Sequence, residues 1–411
     1  MDLNLSVKRI EENLETLKQF TATHGNGCTR LPFSKETRDA AEYLKDVMRK
    51  AGLEVREDCV GNLFGVLPGK DRSKPVILCG SHYDSVYNGG NYDGIAGVVC
   101  AIELARMLIE EKVELEEDYV VAAFMDEEGC RFGTGYFGSK CMLGDITLED
   151  IKHFTDKEGI SVYEAMRTYG MTPENFTEAK WPEGKIAKFL EVHIEQGPVL
   201  DAKEIELGLV NCIVGIQRYM VTVNGRADHA GTTPMDMRMD AVDMATKVVS
   251  QIADWAREAG NGTVATVGFV TSVPGGMNVV AQSMQFSVDI RSTNNDVIDD
   301  IHNKLLAKLD EVTTKYNGSY SVDTKLVITP CYMDDGMLDI LEESCKDHGY
   351  SYLRMPSGAG HDALEIGQVL PTVMIFVPSK DGRSHAPQEY TPYPCFGKAC
   401  VAMFDLLKKL G

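Results

Sequence analysis

The stretch KPVILCGSHYDSVYNGGNYDGIAGVVCAIELARMLIEE, residues 74–111, decides the fold. Its first seven residues form a short apolar run ending in turn residues, the pattern of a buried strand. Beyond the glycine-rich loop, Ile95, Val98, Ile102, Ala105 and Leu108 recur at helical spacing, with Asp93 placed to cap the helix N-terminus. DYVVAAFM (118–125) and KFLEVHI (188–194) are two further buried strands. Strands interleaved with helices predict an α/β class, with a mostly parallel central sheet flanked by helices.

Around residue 212 the rhythm changes. IQRYMVTVNG (216–225) alternates as a half-buried strand, and residues 239–260 form a long amphipathic helix. TVATVGFVTSV and NVVAQSMQFSVDIR read as two strands joined by the turn PGGM. A helix over 296–316 and a strand, SYSVDTKLVI, follow. This β-α-β-β-α-β order is that of a ferredoxin-like sandwich. After residue 329 the α/β rhythm returns, with a helix at 336–348, strands at SYLRM and VLPTVMIFV, and a final helix. The expected organisation is one domain of residues 1–211 and 329–411, interrupted by a smaller domain of residues 212–328.

Composition narrows the function. A net charge of -21 argues against nucleic acid or an anionic membrane as partner. An anionic substrate would need a local arginine to capture it against that field. No run of 18 apolar residues exists, and the N-terminal MDLNLSVKRIEENLETL reads as an amphipathic helix, not a signal peptide. Eleven scattered cysteines without a C-x-x-C suit a reduced, cytoplasmic chain.

Four polar clusters stand where the strands of this reading end, which is where open α/β sheets gather ligands. In GSHYDSV, His82 and Asp84 are two apart and share a face, so the carboxylate could orient the imidazole. Alone, His82 reads more readily as a structural histidine, and Asp84 together with Asp93 in NGGNYDG brings the two readings level. The glycines invite a phosphate-loop reading, but no lysine follows them and neither nucleotide fingerprint fits. The second cluster is Asp126, Glu127 and Glu128, which by itself could be a solvated turn with Arg131 as its only nearby cation. EVHIEQGP supplies His193 with Glu191, Glu195 and Gln196, and DGRSHAPQEY supplies His385. Mixed histidine and carboxylate donors suit zinc, manganese, cobalt or nickel. Five ligands are too many for one catalytic zinc with an open position. They are about right for two ions that share a carboxylate and activate water for hydrolysis.

The segments GSHYDSVYNGGNYDG, MDEEGCRFG, EVHIEQGPVL, RADHAGTTPM, SGAGHDA and SHAPQE, in this order between residues 80 and 390, resemble the binuclear-metal amidohydrolases. That family includes N-carbamoyl-L-amino-acid hydrolases, allantoate amidohydrolases and β-ureidopropionases, and is similar in turn to carboxypeptidase G and the aminoacylases. The resemblance implies two divalent ions per subunit, one on His82 and His193, the other on Glu128 and His385, with Asp93 bridging. It implies Glu127 as the general base that passes a proton from water to the leaving nitrogen, and Asp84 as the partner of His82. A histidine at 193, where carboxypeptidase-like relatives usually carry a carboxylate, points to the carbamoyl and ureido hydrolases. The inserted domain would be a lid and the interface of a homodimer. His229 would stabilise the oxyanion in the partner subunit's site, and Asn278 and Arg291 would bind the substrate carboxylate. Gln196 and the backbone at Gly360 would complete the substrate contacts, with His361 and Asp362 in supporting roles.

The substrate implied is a small ureido or acylamino carboxylate. The first expectation is an N-carbamoyl-L-amino acid, cleaved to the amino acid, carbon dioxide and ammonia. Allantoate presents the same carboxylate and ureido groups, and deacylation of an N-acyl amino acid or cleavage of a dipeptide would use the same residues. A non-catalytic scaffold on this fold is disfavoured by the intact ligand set with Glu127. A nucleotide-dependent oxidoreductase would need a G-x-G-x-x-G turn, which is absent.

Overall fold

Four of the apolar runs pair side by side and all in one direction. In the computed structural model, which describes residues 2–410, their spatial order is Tyr119–Phe124, Val76–His82, Ile186–Ile194 and Thr372–Val377. Three of these strands are buried along their whole length. That burial is why they read as continuous apolar runs, since a parallel sheet is covered on both faces. Leu63–Leu67 adds antiparallel on one side, followed by Glu54–Glu57, and Leu207–Ile213 adds antiparallel to Thr372–Val377 on the other. The expected α/β class with a mostly parallel sheet is therefore observed, with antiparallel flanks. Because the four central strands are parallel, their carboxyl ends at His82, Phe124, Ile194 and Val377 lie along one edge. The residues that follow each of them emerge together there.

The helix Ile95–Glu110 is buried around most of its circumference, not along one stripe. Its N-cap is Gly94, at φ +65°, and no side chain caps it. The capping role expected of Asp93 is thus not observed, because the Asp93 carboxylate is drawn toward histidines instead. A Cβ at residue 94 would overlap the His82 ring, so only glycine lets the helix end close over that side chain.

Arg30 is buried, yet its guanidinium faces backbone carbonyls. Nε donates to the Tyr83 carbonyl at 2.6 Å, and Nη1 donates to Leu17 at 3.1 Å and Phe20 at 3.3 Å. These bonds tie the end of the N-terminal helix Leu3–Leu17 to the residue after His82. Arg30→Met keeps the bulk but leaves the carbonyls unpaired. It should lower unfolding free energy by roughly 2–4 kcal/mol, read from urea denaturation.

Glu342, on the helix Asp335–His348, accepts from Lys346 at 2.7 Å, from Arg354 Nε at 2.7 Å and from the Tyr352 hydroxyl at 3.1 Å. The Lys346 ammonium, then the Arg354 guanidinium, hold its carboxyl down at about 2. A depressed folded-state value means stability that is present above the ordinary glutamate range and lost as pH falls toward 2. Glu342→Gln should therefore flatten the acid side of the stability profile, read from urea denaturation across pH.

The chain divides into two compact units, Met1–Asn211 with Tyr332–Gly411, and Cys212–Cys331. In the second, Val270–Val273, Ser283–Ser292, Gly215–Asn224 and Ser319–Ile328 form an antiparallel sheet in that order. The helices Ala241–Ala259 and Asn295–Tyr316 pack on it through Met244, Val248, Ile252, Ile301 and Leu305. The single strand expected over TVATVGFVTSV is broken into Val264–Thr266 and Val270–Val273. Thr266 pairs with Asp289 and Val270 with Phe286, so four steps on one strand oppose three on the other. The extra residue makes a bulge around Gly268, and Ser287 closes it by donating its N–H to the Phe269 carbonyl. Among the described residues no helix is long and apolar enough to cross a membrane.

Candidate active site

Asp93 stands at the centre of the polar edge, and its two oxygens face different partners. Oδ1 lies 3.2 Å from His193 Nε2 and 3.6 Å from His82 Nε2. Oδ2 lies 3.1 Å from His385 Nε2, which is itself 3.4 Å from Glu128 Oε1. Two groups of potential metal donors result, His82–Asp93–His193 and Asp93–Glu128–His385, and they share only Asp93. Glu127 Oε2 approaches His82 Nε2 at 3.9 Å. Each donor arrives from a different place. His82 ends its strand, Asp93 precedes the helix, Glu127 and Glu128 follow Phe124, His193 is on the third strand, and His385 lies beyond the fourth.

A layer of hydrogen bonds fixes these residues from behind. Asp84 lies 3.5 Å from His82 Nδ1, at the limit of hydrogen-bond range, and accepts from the backbone N–H groups of Glu127 at 3.1 Å and Glu128 at 3.4 Å. It therefore orients the acidic triplet as much as the imidazole. Gln196 turns its amide onto the centre, donating from Nε2 to Asp93 Oδ2 at 2.8 Å. Glu191 accepts from Ser81 Oγ at 2.7 Å and from the Ala363 N–H at 3.0 Å. His361 packs edge-on against His193 with ring centroids 4.4 Å apart, and its Nε2 lies 2.9 Å from Ser357 Oγ. Asp362 accepts from Ser139 Oγ at 2.6 Å. Gly360 lies against the Tyr136 hydroxyl, where a Cβ would clash.

Three points the sequence left open are decided here. The acidic triplet is no solvated turn, because Asp126 and Glu127 are buried and Asp126 sits at φ +58° with neither carboxylate oxygen hydrogen-bonded. Arg131 does not neutralise it at close range, since its Nε donates to Asp156 at 3.2 Å and its Nη1 to the Pro32 carbonyl at 2.9 Å. Glu195 is turned away as a cap, accepting from the N–H groups of Val199 and Leu200 at 2.7 and 2.8 Å. Sequence reasoning also passed over Glu389, which is buried and bonded to the Asp93 backbone. Its only signal was an acidic residue four positions after His385 in an otherwise short polar loop.

The electrostatics of this cluster call for cations. Burial pushes Glu127 well above the usual carboxylate range, reinforced by Glu128 and opposed by His82. Burial and then Asp93 push Glu128 up to about 7. Burial and then Asp84 push Asp126 well up, and burial with Glu191 pushes Asp362 up to about 8. Burial opposes ionisation of Asp93 as well, but bonds with His193, His385 and His82 hold it well below the ordinary value. His385 is raised to about 9 by its bond with Asp93. Buried Glu128 Oε1 has no hydrogen-bond partner, and His82 Nδ1 has only the long approach of Asp84. Imidazole nitrogens and carboxylate oxygens converging in a carboxylate-rich, buried pocket fit divalent ions such as zinc or manganese.

The remaining candidates belong to the second unit. His229 pairs with Val279 in a two-stranded ribbon, and the Ala230 N–H donates to the Asn278 carbonyl at 3.0 Å. His229 and Asn278 are thus neighbours, both exposed, and His229 Nδ1 accepts from the Gly231 N–H at 3.0 Å. Arg291 lies on Ser283–Ser292, apart from that ribbon, and donates from Nε to Asp289 at 2.9 Å.

Comparison with known proteins places this geometry among relatives. The family model described as peptidase family M20/M25/M40 matches residues 78–409. An N-carbamoyl-L-amino-acid amidohydrolase of Paenarthrobacter aurescens is 37% identical over 403 residues, covering 98% of each chain. The allantoate amidohydrolase of Bacillus subtilis (strain 168) is 37% identical over 407 residues, covering 99% of this chain and 98% of the relative. The solved structure of a putative amidohydrolase/peptidase from Burkholderia cenocepacia superposes with a TM-score of 0.88 at 30% identity, covering 98% of each chain.

Proposed function

Because the chain belongs to peptidase family M20/M25/M40, we propose that it is a metal-dependent amidohydrolase that cleaves the ureido C–N bond of an N-carbamoyl-L-amino acid. The observation that carries this reading is the division of Asp93, one oxygen toward His82 and His193 and the other toward His385 and Glu128. His82, His193 and Asp93 would hold one ion, and Asp93, Glu128 and His385 the other. Two bound divalent ions polarise a carbonyl and acidify water.

The chain's own residues do the rest. Glu127 takes a proton as the water oxygen bonds to the ureido carbon. It returns that proton to the nitrogen as the C–N bond breaks, so the departing group leaves neutral. Burial of Glu127 suits it to that exchange, because a proton it takes is shielded from bulk water until the nitrogen claims it. Arg291, with Asn278, is the pair assigned to the substrate carboxylate, which the planar guanidinium can grip through two bonds. His229 is assigned to the developing oxyanion, a role in which one donor is worth about 3 kcal/mol. The reading includes a homodimer through the second unit, where Phe269, Val270, Val273 and Met277 are exposed.

Allantoate is the second substrate supported, since the two relatives named above share 37% identity with this chain and differ in the substrate their names give. A panel of N-carbamoyl-L-amino acids, allantoate and N-acetyl amino acids, assayed with zinc, manganese and cobalt, decides between them. The expected result is highest kcat/KM for a carbamoyl amino acid. Preference for allantoate would transfer the substrate assignment, and no turnover of any ureido carboxylate would sink the proposal.

A further inference from the structure

Two ligands of the second ion group come from loops almost three hundred residues apart in sequence, and His385 is the less secured of them. Its side chain is 50% exposed and its backbone sits at φ +54° in the loop after the fourth strand. Buried donors such as His82 and His193 are held by the sheet, whereas nothing in regular secondary structure holds His385.

Glu389, four residues further on, is buried beneath that loop. Its Oε1 accepts from the backbone N–H of Tyr92 at 2.9 Å and of Asp93 at 3.2 Å. Its Oε2 accepts from Ser384 Oγ at 2.8 Å, and Ser384 Oγ is also 3.2 Å from Asp93 Oδ2. The Glu389 N–H donates to the Ala386 carbonyl at 3.0 Å, which closes the turn that directly follows His385. One carboxylate thus grips the backbone of the bridging residue on one side and the residue preceding His385 on the other. Room for it exists because residue 90 is glycine, since a Cβ there would overlap the Glu389 carboxylate.

We propose that Glu389 is a positioning residue that clamps the His385 loop onto the Asp93 turn and so sets the affinity of the Asp93–Glu128–His385 group for its ion. The clamp works by geometry. A carboxylate offers several acceptor positions and can satisfy three donors from two loops at once. Placing a carboxylate beside Asp93 in a buried site works against ion-free electrostatics, and its fixed contacts compensate. The other group, His82–Asp93–His193, rests on two residues of the sheet and on Asp93 Oδ1, whereas the clamp reaches Asp93 at its backbone N–H and, through Ser384, at Oδ2. Loss of Glu389 should therefore weaken one ion and spare the other.

The inference rests on the two-ion reading of the site, and one experiment separates the two. Purified wild type, Glu389→Ala, Glu389→Gln and Gly90→Ala are loaded with zinc, and bound metal is measured by elemental analysis during stepwise dialysis against a chelator. Wild type should hold two ions per chain; fewer than two would overturn the reading and the inference together. Glu389→Ala should release one ion at a chelator strength roughly 10- to 100-fold lower than wild type, with the second unchanged. Gly90→Ala, which displaces the carboxylate without removing it, should show the same selective loss. Glu389→Gln keeps an acceptor for the two N–H groups and a donor for Ser384 Oγ, so it should retain both ions within a few-fold. If Glu389→Ala keeps both ions like wild type, or weakens both equally, the clamp is wrong. If Glu389→Gln loses an ion as readily as Glu389→Ala, charge and not geometry is the active property, and the proposal fails. Should Glu389→Ala not fold, the Gly90→Ala and Glu389→Gln pair decides by the same criteria.

Discussion

Replacing Glu127 by glutamine is expected to lower kcat by roughly 10²–10⁴-fold, the span ordinarily supplied by a general acid–base group, while leaving two ions bound. The substitution keeps the volume and the hydrogen-bonding shape and removes only the capacity to take a proton. The backbone around it is pinned on both sides: the Glu127 N–H donates to Asp84 at 3.1 Å, and its carbonyl accepts from the Tyr136 N–H at 2.8 Å. A change in activity cannot then be laid to a moved loop. The measurement is steady-state kcat on the best substrate of the panel, with metal content determined on the same preparation. Full activity in the variant would remove Glu127 from the reaction. Loss of an ion would make it a ligand, an outcome its 3.9 Å approach to His82 keeps open to test.

Asp93→Ala should have the largest effect of any single change. Asp93 is the only residue common to these two donor groups, so in the proposed two-ion site its removal takes one ligand from each ion. What is left on either side is a pair of donors, short of the three protein ligands typical of a catalytic site. The transition-state stabilisation supplied by bound ions is several kcal/mol, which corresponds to roughly 10³–10⁴-fold or more in rate. Elemental analysis should find less than one ion per chain, and activity should not return on adding excess metal. The thermal midpoint of variant and wild type in chelator checks that the ion-free fold is the same. Retention of both ions with near-normal turnover would show that Asp93 does not bridge.

The parts of the fold legible in the sequence were those whose environment is uniform along an element. Val76–His82, Tyr119–Phe124 and Thr372–Val377 are covered on both faces, so composition alone marks them. Glu54–Glu57 and Leu63–Leu67 went unread because they are only four and five residues long, the first with no buried residue and the second buried for just three, too short to set up a sustained pattern. The bulge at Gly268 was invisible for another reason: register is a property of two strands, and the sequence of one does not contain it. The same distinction holds in the site. His82, Asp93, Glu128, His193 and His385 were legible as donor types at strand ends, and motif resemblance assigned them. Asp93 as a helix cap was a local inference that tertiary attraction to three histidines overrode. Glu389 and Arg30 could not be found locally, since Tyr92 and Asp93, which Glu389 holds, and Tyr83, which Arg30 holds, come from other parts of the chain.

The order of strands has a consequence for how the protein is made. Thr372–Val377 lies directly against Ile186–Ile194, yet about 180 residues, including the whole second unit, are translated between them. At ribosomal speeds of 5–20 residues per second, the sheet waits roughly 10–35 s with an open edge. His385 is translated only after the strand that fills that edge. A nascent chain halted earlier lacks a donor from the second group however well its first two hundred residues collapse. On the proposed two-ion reading, holding a full complement of metal marks that translation ran past residue 385, and pulse-labelled chains of defined length could be sorted by that mark alone.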